Sequence, residues 1–260
     1  MEMDLKGRKA LITGGSKGIG LAVAEALAAE GCELHLAARG EEALKAAAEA
    51  LTSEFGVTVK THAVDLTDTA AVEALGQEHQ YVDILINNVG GTPHGQLTDI
   101  DSGTWRAGWE TKVFTTIDLT RVIYGAMCER GSGVIVNVVG LAADVPDAHH
   151  ICASTANAAM AMLTRALGGV GPANGVRVVG VNPGLVQTDR MISIMGPKAQ
   201  EELGDGSRWG ELVGHLPFGR AAYPKEIADV VAFLASDRAS YLSGIVIPID
   251  AGFSVSHRCF

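Results

Sequence analysis

Near its start the chain runs Thr13-Gly14-Gly15-Ser16-Lys17-Gly18-Ile19-Gly20, between a short apolar run and an Ala-rich helical stretch. Glycines at such a junction permit a tight turn and let the backbone approach a pyrophosphate. The helix start adds free N–H groups and the positive end of a dipole. The strand before and the helix after turn a weak glycine motif into a dinucleotide-binding one. A second group of chemically capable residues lies further on. Lys112 falls on a long helical stretch, where burial would bring its pKa into a useful range. His149 and His150 precede another helix, and imidazole is the usual proton exchanger near neutrality. Cys152 stands at that helix start, a position that can lower a thiol pKa. Ser154 offers a hydrogen bond or a cap, and Asp144 and Asp147 flank Pro146 in the loop.

These residues need a frame. The spacing predicts strands over Lys9–Thr13, Glu33–Ala37, Thr58–Ala63, Asp83–Ile86, Gly133–Val138, Val176–Val181 and Ile245–Ile249. It predicts helices over Ile19–Glu30, Glu41–Phe55, Thr69–Glu78, Ser102–Arg130 and Ser154–Gly168. Continuously apolar strands alternating with helices imply an α/β fold, a single doubly wound parallel sheet covered on both faces. The 260 residues read as one domain, 1–260, without linker or short repeat. From about 188 to 217 the alternation breaks, and an insert after a strand's carboxyl end reads as a substrate lid. Met191, Ile192, Ile194, Met195, Leu203, Trp209, Leu212 and Leu216 would give it an apolar inner face, suited to a partly apolar or aromatic substrate.

Composition narrows the classes. Hydrophobic residues are 47% and charged residues 19%, which excludes a disordered chain. Gly is 32 of 260, well above the usual ~7%, without a collagen period. A net charge of −10 offers no general field for nucleic acid or anionic membrane. Cys32, Cys128, Cys152 and Cys259 form no C-x-x-C pair, and no H-E-x-x-H suggests zinc, so no metal is expected. The start lacks the apolar stretch of a signal peptide and no apolar run would span a bilayer. The expectation is a soluble, cytoplasmic protein with reduced thiols.

Taken in order and spacing, these segments resemble the short-chain dehydrogenase/reductase family over nearly the whole chain. The resemblance rests on Thr13–Gly20, Asp65-Leu66, Asn87-Asn88-Val89-Gly90, Asn182-Pro183-Gly184-Leu185-Val186-Gln187-Thr188, Ser243-Gly244 and Asp250-Ala251-Gly252. It implies a seven-stranded Rossmann-like sheet and a homodimer or homotetramer, with long helices and the last strand at the interfaces. It assigns Gly14, Ser16, Lys17, Gly18, Ile19 and Gly20 to the phosphates and ribose of a nicotinamide dinucleotide. Asp65 and Leu66 would meet the adenine. Asn88, Val89 and Gly90 would pass under the ribose and nicotinamide, and Pro183, Gly184, Val186 and Thr188 would hold the nicotinamide end. An acid usually ends the second strand where NAD is preferred. Here Ala38 stands in its place and Arg39 follows, able to pair with a 2′-phosphate, so NADP(H) is expected.

The family's proton chemistry uses a Tyr, a Lys four residues later, a Ser thirteen before the Tyr and an Asn on the preceding long helix. The resemblance puts Ala153 at the Tyr position, Asn157 at the Lys, Gly140 at the Ser and Lys112 at the Asn. Asn157 would still offer an amide to a ribose hydroxyl. The catalytic candidates are therefore Lys112, His150, Cys152 and Asn157. The leading expectation is an NADP(H)-dependent oxidoreductase with a non-standard proton donor, acting on the carbonyl or alcohol of a small molecule. The alternatives are a non-redox enzyme (hydrolase, lyase or isomerase) on the same scaffold and a nucleotide-binding protein without catalysis.

Overall fold

In the computed structural model, residues 3–256 are described, and Cys259 lies outside them. The seven strands are β1 (Lys9–Thr13), β2 (Glu33–Ala38), β3 (Val59–Ala63), β4 (Ile84–Asn87), β5 (Gly133–Val138), β6 (Val176–Pro183) and β7 (Val246–Ile249). They form one parallel sheet in the order β3-β2-β1-β4-β5-β6-β7. The expected strands and the α/β doubly wound class are all present, with ends shifted by a residue or two.

Alternation along β1 explains why both faces must be covered. Ala10 and Ile12 join Val23 and Leu27 of α1 (Gly18–Ala29), with Leu44 and Leu51 of α2 (Glu41–Phe55). Leu11, on the other face, meets Val72 and Leu75 of α3 (Thr69–Glu78). Leu11, Ile12 and Leu27 are fully buried. Each such side chain contributes roughly 1.5–3 kcal/mol relative to exposure, so each face holds its helices.

The long helix expected over Ser102–Arg130 is interrupted. It consists of α4 (Ser102–Trp109), a π turn (Glu110–Phe114) and α5 (Thr115–Arg130). One extra residue in a turn rotates the helix beyond it, and such turns recur at functional sites. Lys112 sits on this one. The next helix, α6 (Ile151–Val170), begins three residues before the expected Ser154. The lid comprises α7 (Asp189–Leu203) and the short α8 (Trp209–Leu212). A helix that the pattern did not predict, α9 (Pro224–Ala235), comes next and buries Ile227 and Val231 beside α1.

The apolar face of the lid differs from expectation. Met191, Val213 and Ala221 form a small core of their own, with Met195, Trp209 and Leu216 against it. Ile192 and Ile194 are exposed. Leu216 packs against this core and also lines the cavity beside the cleft, as expected of an inner face. Among the described residues no helix is long and apolar enough to cross a membrane. Cys32, Cys128 and Cys152 form no disulfide.

Candidate active site

Strand order reverses between β1 and β4, which opens a crevice at their carboxyl ends. The chemistry gathers there. Thr13 Oγ1 donates to the Ile86 carbonyl and accepts from Asn88 N at 3.0 Å. Asn88 Nδ2 donates to the carbonyls of Thr13 and Gly14, at 3.2 and 3.4 Å. This clasp fixes the glycine loop against the end of β4.

The loop needs its glycines for two reasons. Gly14 and Gly18 have φ of +66° and +57°, which favours glycine. A Cβ on Gly20 would lie 2.2 Å from the Gly14 carbonyl oxygen and 2.5 Å from Asn88 Nδ2. Lys17 caps α1 without a side-chain hydrogen bond, which leaves the first amides of that helix free for an anion.

Gly14, Ser16, Lys17, Gly18, Ile19, Ala38, Arg39, Asp65, Leu66, Asn88, Val89, Gly90 and Thr188 line one cleft of about 700 Å³. Gly20 stands behind it. Arg39 is exposed at its edge, just after Ala38 ends β2. Asp65 accepts from the backbone and hydroxyl of Thr67, and these bonds, with Arg39 nearby, hold its carboxyl below the usual range. Pro183 and Gly184 line a neighbouring cavity instead. The Val186 side chain belongs to the core, while its carbonyl accepts from Thr188 N at 2.8 Å.

Two features of the lid start were not foreseen. Thr188 caps α7 and packs its methyl toward Gly18. Arg190 Nη1 donates to the Gly90 carbonyl at 3.2 Å, latching α7 to the loop after β4. Arg190 lies two residues beyond Thr188, which was the available signal.

Behind Gly90 lies Lys112. Its Nζ donates to the Val139 carbonyl at 2.6 Å, just beyond β5. The side chain is half-buried, but its ammonium is enclosed. Burial lowers its pKa to about 8, with Arg190 adding repulsion. A Cβ at Gly90 would stand 3.3 Å from Nζ, so this glycine admits the lysine.

The neighbouring cavity, about 570 Å³, is lined on one side by His150, Ala153 and Asn157 from the start of α6. Its remaining wall is mostly apolar, including Leu141, Leu185, Leu216, Phe218 and Phe253. Asn157 is only 5% exposed, and its Oδ1 has no hydrogen-bond partner. Its Nδ2 would lie 2.9 Å from a Cβ on Gly140, so the glycine makes room for the amide.

Three other ionisable groups line this cavity, and each is engaged. Arg220 grips Glu226 through two hydrogen bonds of 2.9 and 2.8 Å, which hold the Glu226 carboxyl down at about 2. Burial pushes Asp250 up, but hydrogen bonds from Ser254 and Gly252 outweigh it and hold that carboxyl below the usual range. His150 remains. Its Nε2 lies 2.6 Å from His94 Nε2, and Gly95 pairs with it by a backbone bridge. Burial lowers the pKa of His150, and the neighbouring His94 lowers it further, against Asp147. Burial and then Arg190 lower that of His94. His94 comes from the loop after β4, and no local pattern marked it.

The other candidates stand apart. Cys152 is fully buried, with its Sγ 3.5 Å from where a Gly108 Cβ would be, facing α4. Burial pushes its thiol up, away from the thiolate that the helix start would favour. Ser154 Oγ accepts from Asp147 N and so pins the loop. His149 is exposed, with Nδ1 3.3 Å from Gln96 Nε2. Asp144 accepts from Asn182 Nδ2.

The residues present fit a nicotinamide dinucleotide. The glycine cradle has no room for a Cβ at Gly20, and the orphaned Asn157 Oδ1 awaits a donor such as a ribose hydroxyl.

Comparison with known proteins agrees with this geometry. Residues 8–197 match a family profile described as short chain dehydrogenase. The chain is 32% identical to the 2-keto-3-deoxy-L-fuconate dehydrogenase of Xanthomonas campestris, over 96% of this chain and 81% of that protein. It is 30% identical to the 3-oxoacyl-[acyl-carrier-protein] reductase of Escherichia coli, over 96% and 98%. The L-sorbose reductase of Gluconobacter frateurii, solved with NADPH and L-sorbose, superposes with a TM-score of 0.93 at 31% identity, covering 99% of this chain and all of that one.

Proposed function

This chain belongs to the short-chain dehydrogenase family, and on that premise we propose that it is an NADP(H)-dependent oxidoreductase in which His150 holds the transferable proton. The observation that carries this reading is the cavity wall. Where the family resemblance expects a tyrosine stands Ala153. Among the described residues, His150 is the one lining ionisable group there not held in an ion pair or a carboxylate network.

A bound nicotinamide dinucleotide supplies or accepts a hydride at the substrate carbon. The chain's residues do the rest. His150 gives a proton to the carbonyl oxygen in reduction and takes it from the alcohol in oxidation. His94, 2.6 Å away, passes that proton to or from solvent. Lys112 places a positive charge at the Val139 carbonyl, serving in place of the lysine missing at Asn157. Asn157 Oδ1 accepts from a ribose hydroxyl. Lys17 and Arg39 favour the 2′-phosphate of NADP(H), because Ala38 offers no carboxylate to a 2′-hydroxyl. The cavity suits a small, partly apolar carbonyl or alcohol. An oligomer built on exposed Phe114, Met162 and Val170 completes the proposal.

The experiment is a carbonyl panel with NADPH, run on the wild type, His150→Gln and Lys112→Met, with NADPH affinity measured alongside. Turnover should fall ~10²–10⁴-fold in His150→Gln while NADPH binding persists. Unchanged turnover rejects the assignment. A second reading, nucleotide binding without turnover, is favoured by Ala153 alone. It predicts NADPH affinity with no product from any member of the panel.

A further inference from the structure

Away from the cofactor cleft, three histidines meet on the sheet face that α3 covers. His35 comes from β2, His62 from the edge strand β3, and His79 from the carboxyl end of α3. In the parallel pairing His35 stands opposite Lys60, so His62 lies two residues further along on the same face. None of the three lines the cleft or its neighbouring cavity. His35 is 1% exposed and His79 is fully buried, an unusual place for polar rings between apolar layers.

Their ring nitrogens converge. His35 Nδ1 lies 3.2 Å from His62 Nε2 and 3.0 Å from His79 Nε2, and the latter two are 3.2 Å apart. His79 Nδ1 is 2.9 Å from the Leu75 carbonyl, an acceptor, so this nitrogen carries the proton and Nε2 presents a lone pair. His35 Nε2 faces Glu33 Oε1, an acceptor, at 3.5 Å and the Tyr81 hydroxyl, which can donate or accept, at 3.3 Å; the tautomer turned to Glu33 carries its proton on Nε2 and a lone pair on Nδ1. In that tautomer the His35–His79 edge sets lone pair against lone pair, and both point to the centre of the triangle. A cation at the centre relieves all three edges.

We propose that His35, His62 and His79 together bind one zinc ion. A tetrahedral zinc at ~2.0–2.1 Å from each nitrogen sets neighbouring ligand atoms about 3.3–3.4 Å apart. The observed triangle needs only a few tenths of an ångström of expansion. Neutral imidazoles suit zinc, and they do not suit magnesium or calcium, which want oxygen. Burial, followed by the two neighbouring rings and Lys60, lowers the His35 pKa to about 4 against Glu33. Burial and then His79 lower that of His62 too, with Glu78 opposing and Lys60 assisting. The outer contacts are those of a metal site: Leu75 orients His79 and Glu33 orients His35. Among the described residues no fourth His, Cys, Asp or Glu joins the group, so water completes the coordination. The ion would fasten the edge strand β3 to β2 and to the end of α3.

The test uses the full-length, tag-free protein. It is incubated with zinc, desalted, and its metal content measured; cobalt(II) is titrated in parallel and its visible ligand-field absorption recorded. His62→Gln is the informative variant, because this half-buried residue on an edge strand can be changed without opening the core, whereas His79→Ala endangers folding. We expect one zinc per chain, a four-coordinate cobalt spectrum, and an affinity at least ~100-fold weaker in His62→Gln. The wild-type Tm should rise by roughly 5–10 °C at zinc 100-fold above Kd. Folded wild type that retains no zinc and gives no cobalt spectrum overturns the proposal. So does equal binding by His62→Gln.

Discussion

Replacing Arg39 by Ala isolates the choice of nucleotide. Arg39 is exposed at the edge of the cleft, and among the described residues it makes no hydrogen bond or ion pair. Its removal therefore costs the fold little, and the Tm should stay within about 1 °C. A guanidinium paired with a phosphate contributes roughly 1.5–3 kcal/mol. At 1.4 kcal/mol per decade that is about 10–150-fold in Kd. Solvent screening at this exposed edge favours the lower part, about 10–30-fold. NADH lacks the 2′-phosphate, so its Kd should change less than about threefold. The assay is a titration of wild type and Arg39→Ala with both nucleotides by nicotinamide fluorescence, repeated at high salt. The NADPH loss should shrink as salt rises. Equal losses for both nucleotides, or none for NADPH, would refute the reasoning. Ala38→Asp should act in the opposite sense for NADH, by offering a carboxylate to its 2′-hydroxyl.

Gly20→Ala sets a methyl 2.2 Å from the Gly14 carbonyl and should weaken both nucleotides together by about 100-fold or more, read by the same titration. Lys112→Met should raise stability near neutrality while reducing turnover. A lysine whose pKa falls to about 8 in the fold binds its proton less tightly there than in the unfolded chain. The unmutated protein therefore gains stability as pH rises from about 8 toward the ordinary lysine value and carries the full penalty below 8. Removing that penalty, less the lost bond to Val139, should leave about 1–2 kcal/mol, measurable by urea unfolding at pH 7. His35 has the same sign at lower pH. Its pKa of about 4 lies below the ordinary 6.5, so metal-free protein should lose up to about 3 kcal/mol as pH falls from 6.5 to 4. His35→Gln should flatten that slope in pH-dependent denaturation.

Much of the fold was legible because each strand is a short apolar run bounded by a turn, and each helix lies between two such runs. The glycine loop, Asn88 and Asp65 were legible for the same reason, since their chemistry depends on local order. The π turn at Glu110–Phe114 was not, because an extra residue in one turn leaves the apolar period nearly unchanged. Cys152 showed a helix-start position in sequence, but only packing against α4 reveals its burial. His94 and Arg190 come from loops or element ends, and their partners lie 56 and 100 residues away. His35, His62 and His79 are separated by 27 and 17 residues and meet only once β2, β3 and α3 are stacked. The apolarity of the lid residues is local information, while their choice of partner is not: Leu216 lines the cavity, and Met191 and Trp209 pack within the lid.

The decisive measurement follows deuterium from NADPH labelled at both C4 positions into the product of a carbonyl panel, in wild type and in His150→Gln. Wild type should give a deuterated alcohol, and His150→Gln the same product ~10²–10⁴-fold more slowly, with the reductive kcat/KM of the wild type rising as pH falls through a pKa below the ordinary imidazole range. Wild-type product without deuterium, or undiminished transfer by His150→Gln, would contradict the proposed function.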